Sequence, residues 1–417
     1  MAERQPQTIA VIGAGIVGVS TAIWLQRAGI KVTLIDREGP AAGTSYGNAG
    51  VLASGSIVPV SVPGLLYKAP RMLLDPNSPL FLRWSYLPKL IPWLLPFLRN
   101  GSRTKVMQIA RSLSLMLHDS PAQHLALAEG TGAERFIETG DYVFGYKDKA
   151  TFATDAFTWA TRGAMNSPYE EMDAARIAAY DPALQGRFGY AVRCPEHGHI
   201  TDPGAYVRAL AAHFVTKGGD IITAEVTDLA LDGGRVASVE TTSGPLEADG
   251  FVLTAGVWSR ALAEKLGLKV PLETERGYHI EFVNPSIKPK SPVMVAAGKF
   301  VMTPMVGRLR CAGIVEFGGI DAPPSEAPFA LLEKQTLAIF PELTFDSTEK
   351  WMGHRPSTVD SLPLIGPFGT APNLWAGFGH QHVGLTGGPK TGRWLAQIIT
   401  GQTPNADLAP MAPNRFR

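Results

Sequence analysis

Three closely spaced glycines near the start of the chain constrain its fold more than any other feature. Gly13, Gly15 and Gly18 follow an apolar run, residues 9–12, and precede a helical stretch, residues 19–28. In this setting the first glycine permits a tight strand-to-helix turn, the second lets the backbone approach a pyrophosphate, and the third allows close packing of helix on strand. The pattern predicts a βαβ unit that binds a dinucleotide, with the phosphates at the helix N-terminus.

A carboxylate in the following strand narrows the choice of dinucleotide. Residues 32–36 are mostly apolar and end in Asp36, about 20 residues beyond the glycines, where an acid hydrogen-bonds the ribose hydroxyls. An acid at this position disfavours the 2′-phosphate of NADP. The predicted cofactor is therefore FAD or NAD, and the alternative is a glycine-rich turn that binds no ligand.

Composition excludes several classes of partner. The chain has 417 residues, 45% of them hydrophobic, which is enough for two or three domains with a substantial core. Its 38 basic and 37 acidic residues leave a net charge of +1 with no basic stripe, so nucleic acid is not an expected partner. The first eight residues lack the charged and apolar regions of a secretory signal, and a cytoplasmic protein is predicted.

The cysteines and histidines do not predict a metal site. Cys194 and Cys311 are far apart in sequence, as in a protein from a reducing compartment without structural zinc. His197 and His199 have the spacing of a metal-binding pair, but no third ligand follows at a suitable distance. We expect no bound metal.

The segment 79–98 is dense in Leu, Trp and Phe. Pro88, Pro92 and Pro96 interrupt it, so it is not expected to cross a bilayer as one simple helix. Buried helices and turns of a second domain are the favoured interpretation. The alternative is a peripheral contact with the cytoplasmic face of the inner membrane, or with a quinone or redox partner.

Several further elements follow from local signals. Residues 107–128 predict a helix, and Asp202 followed by Pro203 predicts the capped start of another. Residues 221–255 predict short strands joined by turns, and the last of these strands leads into a glycine turn at Gly256. That turn is a second place where backbone can approach a cofactor.

Motifs along nearly the whole chain, in one order, resemble a known family. They lie at residues 43–50, 255–259, 275–280, 297–300, 351–357, 360–366, 379–387 and 412–416. Together they are similar to the FAD-dependent amine and amino-acid oxidoreductases of the D-amino acid oxidase (DAO) type. Within that family the sequence is most similar to the D-amino acid dehydrogenase branch and its glyphosate oxidoreductase group.

The resemblance implies an α/β fold in which two domains interleave. Residues 1–56, 190–268 and 354–417 would form a Rossmann-like FAD-binding domain. Residues 57–189 and 269–353 would form an α+β substrate domain with a mixed antiparallel sheet. FAD would be bound non-covalently, since the strand setting of Cys311 does not match family members that form a flavin bond.

The family also implies where FAD lies. The adenosine half would contact the N-terminal unit, and the isoalloxazine would contact residues 43–50 and the glycines near the C-terminus. The predicted cofactor-binding residues are Gly13, Gly15, Ile16, Val17, Gly18, Asp36, Arg37, Thr44, Ser45, Asn48, Ala49, Gly50, Val226, Ala255, Gly256, Trp258, Gly379, His382, Gly384, Leu385 and Thr386. Gly384, Gly387 and Gly388 precede a predicted apolar helix, residues 394–399, whose N-terminus would stabilise negative charge on the reduced flavin.

The predicted catalytic residues are Arg355, His382, Tyr278, His279 and His380. Arg355 lies in a motif similar to the glycine oxidase segment that supplies a carboxylate-binding arginine, and its planar fork suits both carboxylate oxygens. A surface salt bridge is the alternative for Arg355. His382 stands where glycine oxidase has a second arginine, which implies a different anion, a larger substrate side chain, or a histidine that tunes the protonation of the amine near neutral pH. For Tyr278 and His279 the alternative is a hydrogen-bonded core position.

The implied reaction is transfer of the α-hydrogen, as hydride, from a neutral amine to flavin N5. The imine product is hydrolysed to a keto acid or aldehyde plus an amine. D-Amino acids, hydroxyproline isomers and N-substituted glycines such as glyphosate satisfy this scheme. The alternatives are an FAD-carrying subunit of a multi-chain dehydrogenase and a nicotinamide-linked dehydrogenase, and the electron acceptor stays open between oxygen, quinone and a protein.

Overall fold

The computed structural model describes residues 5–75 and 77–416, which form two large sheets with helices around them. The strands are β1 (Thr8–Ile12), β2 (Lys31–Asp36), β3 (Leu80–Leu82), β4 (Ile137–Tyr146), β5 (Glu170–Asp173), β6 (Tyr190–Ile200), β7 (Asp220–Thr223), β8 (Val226–Asp232), β9 (Arg235–Thr241), β10 (Gly244–Glu247), β11 (Gly250–Leu253), β12 (Leu272–Val283), β13 (Val293–Val295), β14 (Phe300–Met305), β15 (Arg308–Phe317), β16 (Ser347–Thr358), β17 (Leu364–Pro367) and β18 (Leu374–Phe378). The α-helices are α1 (Ile16–Arg27), α2 (Leu65–Leu74), α3 (Leu87–Arg99), α4 (Arg103–Leu117), α5 (Ser120–Ala128), α6 (Lys149–Ala153), α7 (Ala156–Ala164), α8 (Ala174–Tyr180), α9 (Pro203–Thr216), α10 (Ser259–Lys265), α11 (Glu326–Ile339) and α12 (Gly384–Ile399). Short 3₁₀ helices cover Trp84–Tyr86, Glu134–Phe136, Pro182–Leu184, Gly256–Trp258, Ala409–Met411 and Pro413–Phe416.

The first sheet has six strands in the order β17-β18-β11-β1-β2-β7. Its pairings are parallel except for β17, which runs antiparallel to β18. Both faces are covered, which explains the nearly continuous apolar sequence of β1. Ile9 and Val11 face α1, α9 and α12, whereas Ala10 and Ile12 face the small sheet β10-β9-β8 and α10.

The second sheet has the order β16-β12-β15-β14-β13-β4-β6-β5, with β3 added beside β15. Most pairings are antiparallel, but β13 with β4 and β15 with β3 are parallel. Side chains of β12 and β15 on one face pack against α11. The fold is the mixed α/β, two-sheet arrangement that the sequence predicts. The predicted domain boundaries stay a prediction. The strand β6, which that prediction assigns to the FAD-binding domain, pairs with β4 and β5 of this second sheet.

Two helix predictions need correction. The predicted helix 107–128 is two helices, α4 and α5, because the chain turns at Asp119 and Pro121 lies in the first turn of α5. The predicted helix 394–399 begins ten residues earlier, at Gly384, so the glycines lie inside α12. A Cβ at Gly392 would lie 2.6 Å from the backbone of Ser20 in α1, so glycine lets the two helices touch. The predicted cap of α9 is confirmed, since the Asp202 carboxylate accepts from the Ala205 N–H at 2.8 Å.

The apolar segment 79–98 forms β3, a 3₁₀ turn and most of the single helix α3, which contains the three prolines. Leu90, Trp93 and Phe97 face the core, as the favoured interpretation expects. The opposite side of α3 exposes Ile91 and Leu95. Among the described residues, every helix is too short or too polar to cross a bilayer.

Candidate active site

A cavity of about 1420 Å³ runs between residues of the two large sheets. One end is lined by β1, β2 and β18 of the first sheet and by the turn that follows β11. The other end is lined by β4, β12, β15 and β16 of the second sheet together with α3 and α7. The site thus extends from the predicted nucleotide-binding unit into the predicted substrate domain.

The glycine turn has the geometry that a pyrophosphate site requires. Gly13 has φ 105°, and a Cβ there would lie 2.7 Å from the carbonyl oxygen of Thr254. A Cβ at Gly18 would lie 1.8 Å from the carbonyl oxygen of Gly13, so the helix packs directly on the turn. Gly15 lies at the N-terminus of α1 and borders the cavity, as do Ile16 and Val17, whereas Gly18 does not.

The acid at the end of β2 also lines the cavity. Its Oδ2 accepts from the Ala14 N–H at 2.8 Å, and its Oδ1 accepts from the backbone of Glu38 and Gly39. These contacts fix the Asp36 carboxylate where a ribose would meet it. The same end is bordered by Arg37, whose guanidinium lies 3.9 Å from the centre of the Trp258 ring, and by Val226, Ala255 and Gly256.

The loop 43–50 is tied to helix α1 and to the second sheet. The Ser45 hydroxyl accepts from the Ile16 N–H at 2.9 Å, and the Asn48 side chain accepts from the Gly50 N–H at 2.7 Å. Arg310, which the sequence did not mark as a loop anchor, donates to the Asn48 carbonyl oxygen at 2.5 Å. Thr44, Ser45, Asn48 and Ala49 line the cavity, whereas Gly50 packs behind it against Met305 and Ile200.

The C-terminal segment forms the wall beside this loop. Gly379, His380, His382, Gly384, Leu385 and Thr386 all border the cavity. The Thr386 hydroxyl donates to the Val51 carbonyl oxygen at 3.2 Å and so joins the start of α12 to the loop. The N-terminus of α12 therefore lies at the cavity wall, as predicted for a helix that stabilises charge on a reduced flavin.

The two histidines of this segment are neutral at physiological pH. His380 is buried and its Nε2 lies 3.0 Å from the Thr391 hydroxyl, and burial lowers the pKa of its imidazole to about 3. His382 is accessible from within the cavity but surrounded by protein, and burial followed by the Arg355 charge lowers its pKa to about 4. The role predicted for His382 beside the substrate stays a prediction.

Arg355 lies on β16 and borders the cavity. A Cβ at Gly277, on the adjacent strand, would lie 2.6 Å from its guanidinium carbon, so the guanidinium occupies the space over that glycine. Glu275 is its cross-strand neighbour and is buried. Burial lowers the pKa of Arg355 and the Glu275 charge opposes that shift, while burial raises the pKa of Glu275 against the pull of Arg355. Its hydrogen bond to the Gly313 carbonyl oxygen is long, 3.5 Å, so the planar guanidinium is available to bind an anion.

Tyr278 borders the cavity and His279 does not, and the catalytic roles predicted for both stay predictions. Successive residues of a strand point to opposite faces, and the Tyr278 ring packs on Phe329 in the core while its hydroxyl donates to Glu316 at 2.5 Å. The described cavity wall does not include His279. Its Nδ1 lies 3.0 Å from the Gly47 carbonyl oxygen, and its ring stacks on Trp351. These contacts favour the hydrogen-bonded core alternative for His279.

Sequence reasoning missed three groups at the substrate end of the cavity. Tyr142 and Phe144 alternate on β4 and both border the cavity, and Arg162 borders it from α7. The period-two spacing of the aromatic residues was a usable signal. Arg162 belongs to no motif, and only the packing of α7 against β4 brings it to the wall.

The residues present fit FAD. A turn that side chains would obstruct, a ribose-binding acid, a loop with hydroxyl and amide groups, and a helix N-terminus follow one another along one cavity. His197 and His199 have the spacing of a metal-binding pair but other partners, and the described residues contain no cluster of three metal-binding side chains. His197 accepts from the Gly55 N–H at 3.0 Å, and His199 lies 3.5 Å from Glu138. A fold and site of this kind define an FAD-dependent oxidoreductase.

Comparison with known proteins specifies the family. Residues 8–398 match the DAO family, FAD dependent oxidoreductases, and the chain belongs to that family. It is 39% identical over 415 residues to a D-amino-acid oxidase of Bradyrhizobium diazoefficiens, with 98% of each chain covered. It is 31% identical over 418 residues to a D-amino acid dehydrogenase of Paramagnetospirillum magneticum, again with 98% of each covered. Glycine oxidase from Geobacillus kaustophilus shares the fold, with a TM-score of 0.76 at 20% identity and 98% of each chain covered. The protein is an FAD-dependent enzyme of amino acid or amine oxidation.

Proposed function

We propose that the substrate is a D-amino acid or a related amine with a free carboxylate, including hydroxyproline isomers and N-substituted glycines such as glyphosate. The observation that carries this proposal is Arg355. Its guanidinium lies over Gly277 at the cavity wall with one long hydrogen bond to protein. A carboxylate is the group whose two oxygens this planar fork binds best.

The side chains around Arg355 position the substrate. Arg355 would bind the carboxylate and thereby fix the α-carbon relative to the C-terminal wall. Neutral His382 would accept a hydrogen bond from the amine, and with its low pKa it would not retain the proton, which passes to water. FAD, when bound, supplies the two-electron acceptor, with N5 as the atom that receives the hydride. The imine product is then hydrolysed by water to a keto acid or aldehyde plus an amine.

We further propose that FAD is held without a covalent bond. Cys311 lies on β15 in the core against α11, and the described wall of the cavity does not include it. Burial raises the pKa of its thiol to about 12, so a reactive thiolate is disfavoured. Acid precipitation of the yellow protein is expected to leave the flavin in the supernatant. Flavin that remained with the pellet would refute non-covalent binding.

A specific surface supports a second proposal, that the enzyme passes electrons to a quinone or protein partner at the cytoplasmic face of a membrane. Helices α2 and α3 line one end of the cavity. Their outer sides, with the turn before α3, expose large apolar residues: Leu66, Tyr67, Leu74, Trp84, Ile91 and Leu95. Exposed aromatic and aliphatic side chains on two helices at one end of the cavity suit contact with a lipid surface. Flotation with anionic phospholipid vesicles tests the contact, and loss of flotation in a Trp84→Ser, Leu95→Ser variant is expected. Equal flotation of the variant and the parent would remove the support for this proposal.

The first experiment is anaerobic reduction of the flavin, followed as loss of absorption at about 450 nm. The panel contains D- and L-amino acids, sarcosine, hydroxyproline isomers and glyphosate. Bleaching by one class names the substrate, and readmitted air then separates an oxidase from a dehydrogenase. Arg355→Met is expected to weaken binding of that substrate strongly. If no amine bleaches a flavin that dithionite reduces, the substrate proposal fails and an FAD-carrying subunit becomes the better account.

A further inference from the structure

Arg162 is a second buried arginine on the cavity wall, and the predicted chemistry does not use it. It lies on α7 with 9% of its surface exposed and borders the cavity. Its Nε donates to the Gly55 carbonyl oxygen at 3.0 Å. Its guanidinium also lies 4.6 Å from the centre of the Phe144 ring and 4.4 Å from that of Trp159. Two rings and one hydrogen bond therefore fix the plane of the guanidinium.

The protein does not neutralise this charge by an ion pair. Among the described residues, no carboxylate lies within ion-pair distance of Arg162. The two acids that share its surroundings are engaged elsewhere: Asp155 lies 3.4 Å from Lys299, and Asp141 lies 2.9 Å from Arg193. A buried cation is costly unless it has a partner. Arg162 borders the cavity, where a bound anion would supply that partner.

The surroundings of Arg162 also select the kind of partner. Tyr142, Phe144 and Met294 form an apolar part of the same wall, and His197 behind it is held neutral, with burial lowering its pKa to about 4. Arg162 is therefore a cation beside an apolar stretch of the wall, and Asp155 and Lys299, which also border the cavity, pair with each other. An anionic group at the end of an apolar stem fits such a lining.

We propose that Arg162 binds a second anionic group of the substrate, a side-chain or N-linked carboxylate or phosphonate, while Arg355 binds the first carboxylate. This inference rests on the proposed function and deepens it, because it makes the preferred substrates dianionic. Acidic D-amino acids and N-carboxymethyl or N-phosphonomethyl glycines belong to this class. Amides of the same shape do not.

Equilibrium binding tests the inference without turnover. The probes are succinate, glutarate and adipate, each compared with its half-amide, titrated into the FAD-loaded enzyme and followed by calorimetry and by the flavin spectrum. At least one diacid is expected to bind roughly tenfold or more tightly than its half-amide, as a charge-assisted hydrogen bond implies. Arg162→Met is expected to remove that difference while leaving the half-amide unchanged.

A matched control separates binding from support of α7. Arg103 is exposed on α4 and contacts the Phe157 ring of α7, and the described cavity wall does not include it. Arg103→Met is therefore expected to leave all affinities unchanged. Arg162→Lys keeps the charge without the planar fork and is expected to retain part of the preference.

The inference is overturned if none of the three diacids binds more tightly than its half-amide to the parent enzyme, a result that needs no variant. It is also overturned if Arg162→Met weakens diacid and half-amide equally, since that would show a structural role. Failure of the proposed function looks different: Arg355→Met would then leave both members of each pair unaffected, and no amine would reduce the flavin.

Discussion

Gly277 controls the position of Arg355, so adding one methyl group to it tests the carboxylate site without removing any charged group. In the structure a Cβ at Gly277 would lie 2.6 Å from three atoms of the guanidinium, whereas ordinary contacts begin at 3.4 Å. The guanidinium must therefore move by about 0.8 Å or more. Its atoms are the far end of a flexible side chain, and Gly277 does not have positive φ, so the fold is expected to absorb the change.

The expected cost falls on substrate binding and on the reaction geometry. A misplacement of about 1 Å near the reacting atoms costs up to roughly 100-fold in rate. Gly277→Ala is thus expected to lower the efficiency of flavin reduction by roughly ten- to 100-fold for carboxylate substrates. FAD content and melting temperature should change little, because the new methyl group lies at the substrate end of the cavity.

Stopped-flow reduction under anaerobic conditions measures both the limiting rate and the substrate dissociation constant. Gly140→Ala is the matched control, since Gly140 lies on β4 of the same sheet and a Cβ there would meet nothing within 4 Å. The reasoning is refuted if Gly277→Ala, folded and loaded with FAD, binds substrate within about twofold of the parent. Arg355 would then not bind the carboxylate from the position that it occupies here.

Three further outcomes are expected. Gly18→Ala places a methyl group 1.8 Å from the backbone of Gly13, so soluble yield and flavin content should fall sharply, and normal yield would contradict the close packing of α1 on the turn. Asp36→Ala should lower the flavin-to-protein ratio after desalting without lowering the melting temperature of the apoprotein by more than a few degrees, and an unchanged ratio would show that the acid does not hold the ribose. The His124 imidazole lies between Tyr206 and the Leu385 carbonyl oxygen, and burial lowers its pKa from 6.5 to about 4. The unfolded chain therefore takes up this proton first as pH falls, so about 3 kcal/mol of stability should be lost between pH 6.5 and 4. Urea unfolding across that range should show a shallower dependence for His124→Gln than for the parent, and equal slopes would contradict the assignment.

The nucleotide-binding end of the site could be predicted because its chemistry is local in sequence. Gly13, Gly15 and Asp36 lie within one βαβ unit, and steric and ribose-binding requirements fix their spacing. All three border the cavity. The N-cap of α9 was predictable for the same reason, since the Asp202 carboxylate accepts from the N–H of Ala205, only three residues away.

The substrate end could not be predicted in the same way because distant strands assemble it. Tyr278 and His279 are adjacent in a motif, but Tyr278 borders the cavity and His279 does not, and no short pattern says which of two neighbours reaches the wall. Arg162 reaches the cavity only through the packing of α7 on the β4 aromatics. The low pKa of His382 depends on its burial beside Arg355, and sequence spacing does not contain that information.

The order of strands in the first sheet sets when the cofactor site can exist during synthesis. β1 and β2 are made first, β11 joins them about 200 residues later, and β18 pairs with β11 only after most of the chain has been translated. The wall at residues 379–386 follows β18 directly. A nascent or truncated chain that lacks this region has the glycine turn but not the enclosed cavity. Flavin retention therefore reports that the whole chain has been made and has folded correctly. Yellow colour in a purified preparation is therefore a measure of completed folding as well as of cofactor supply.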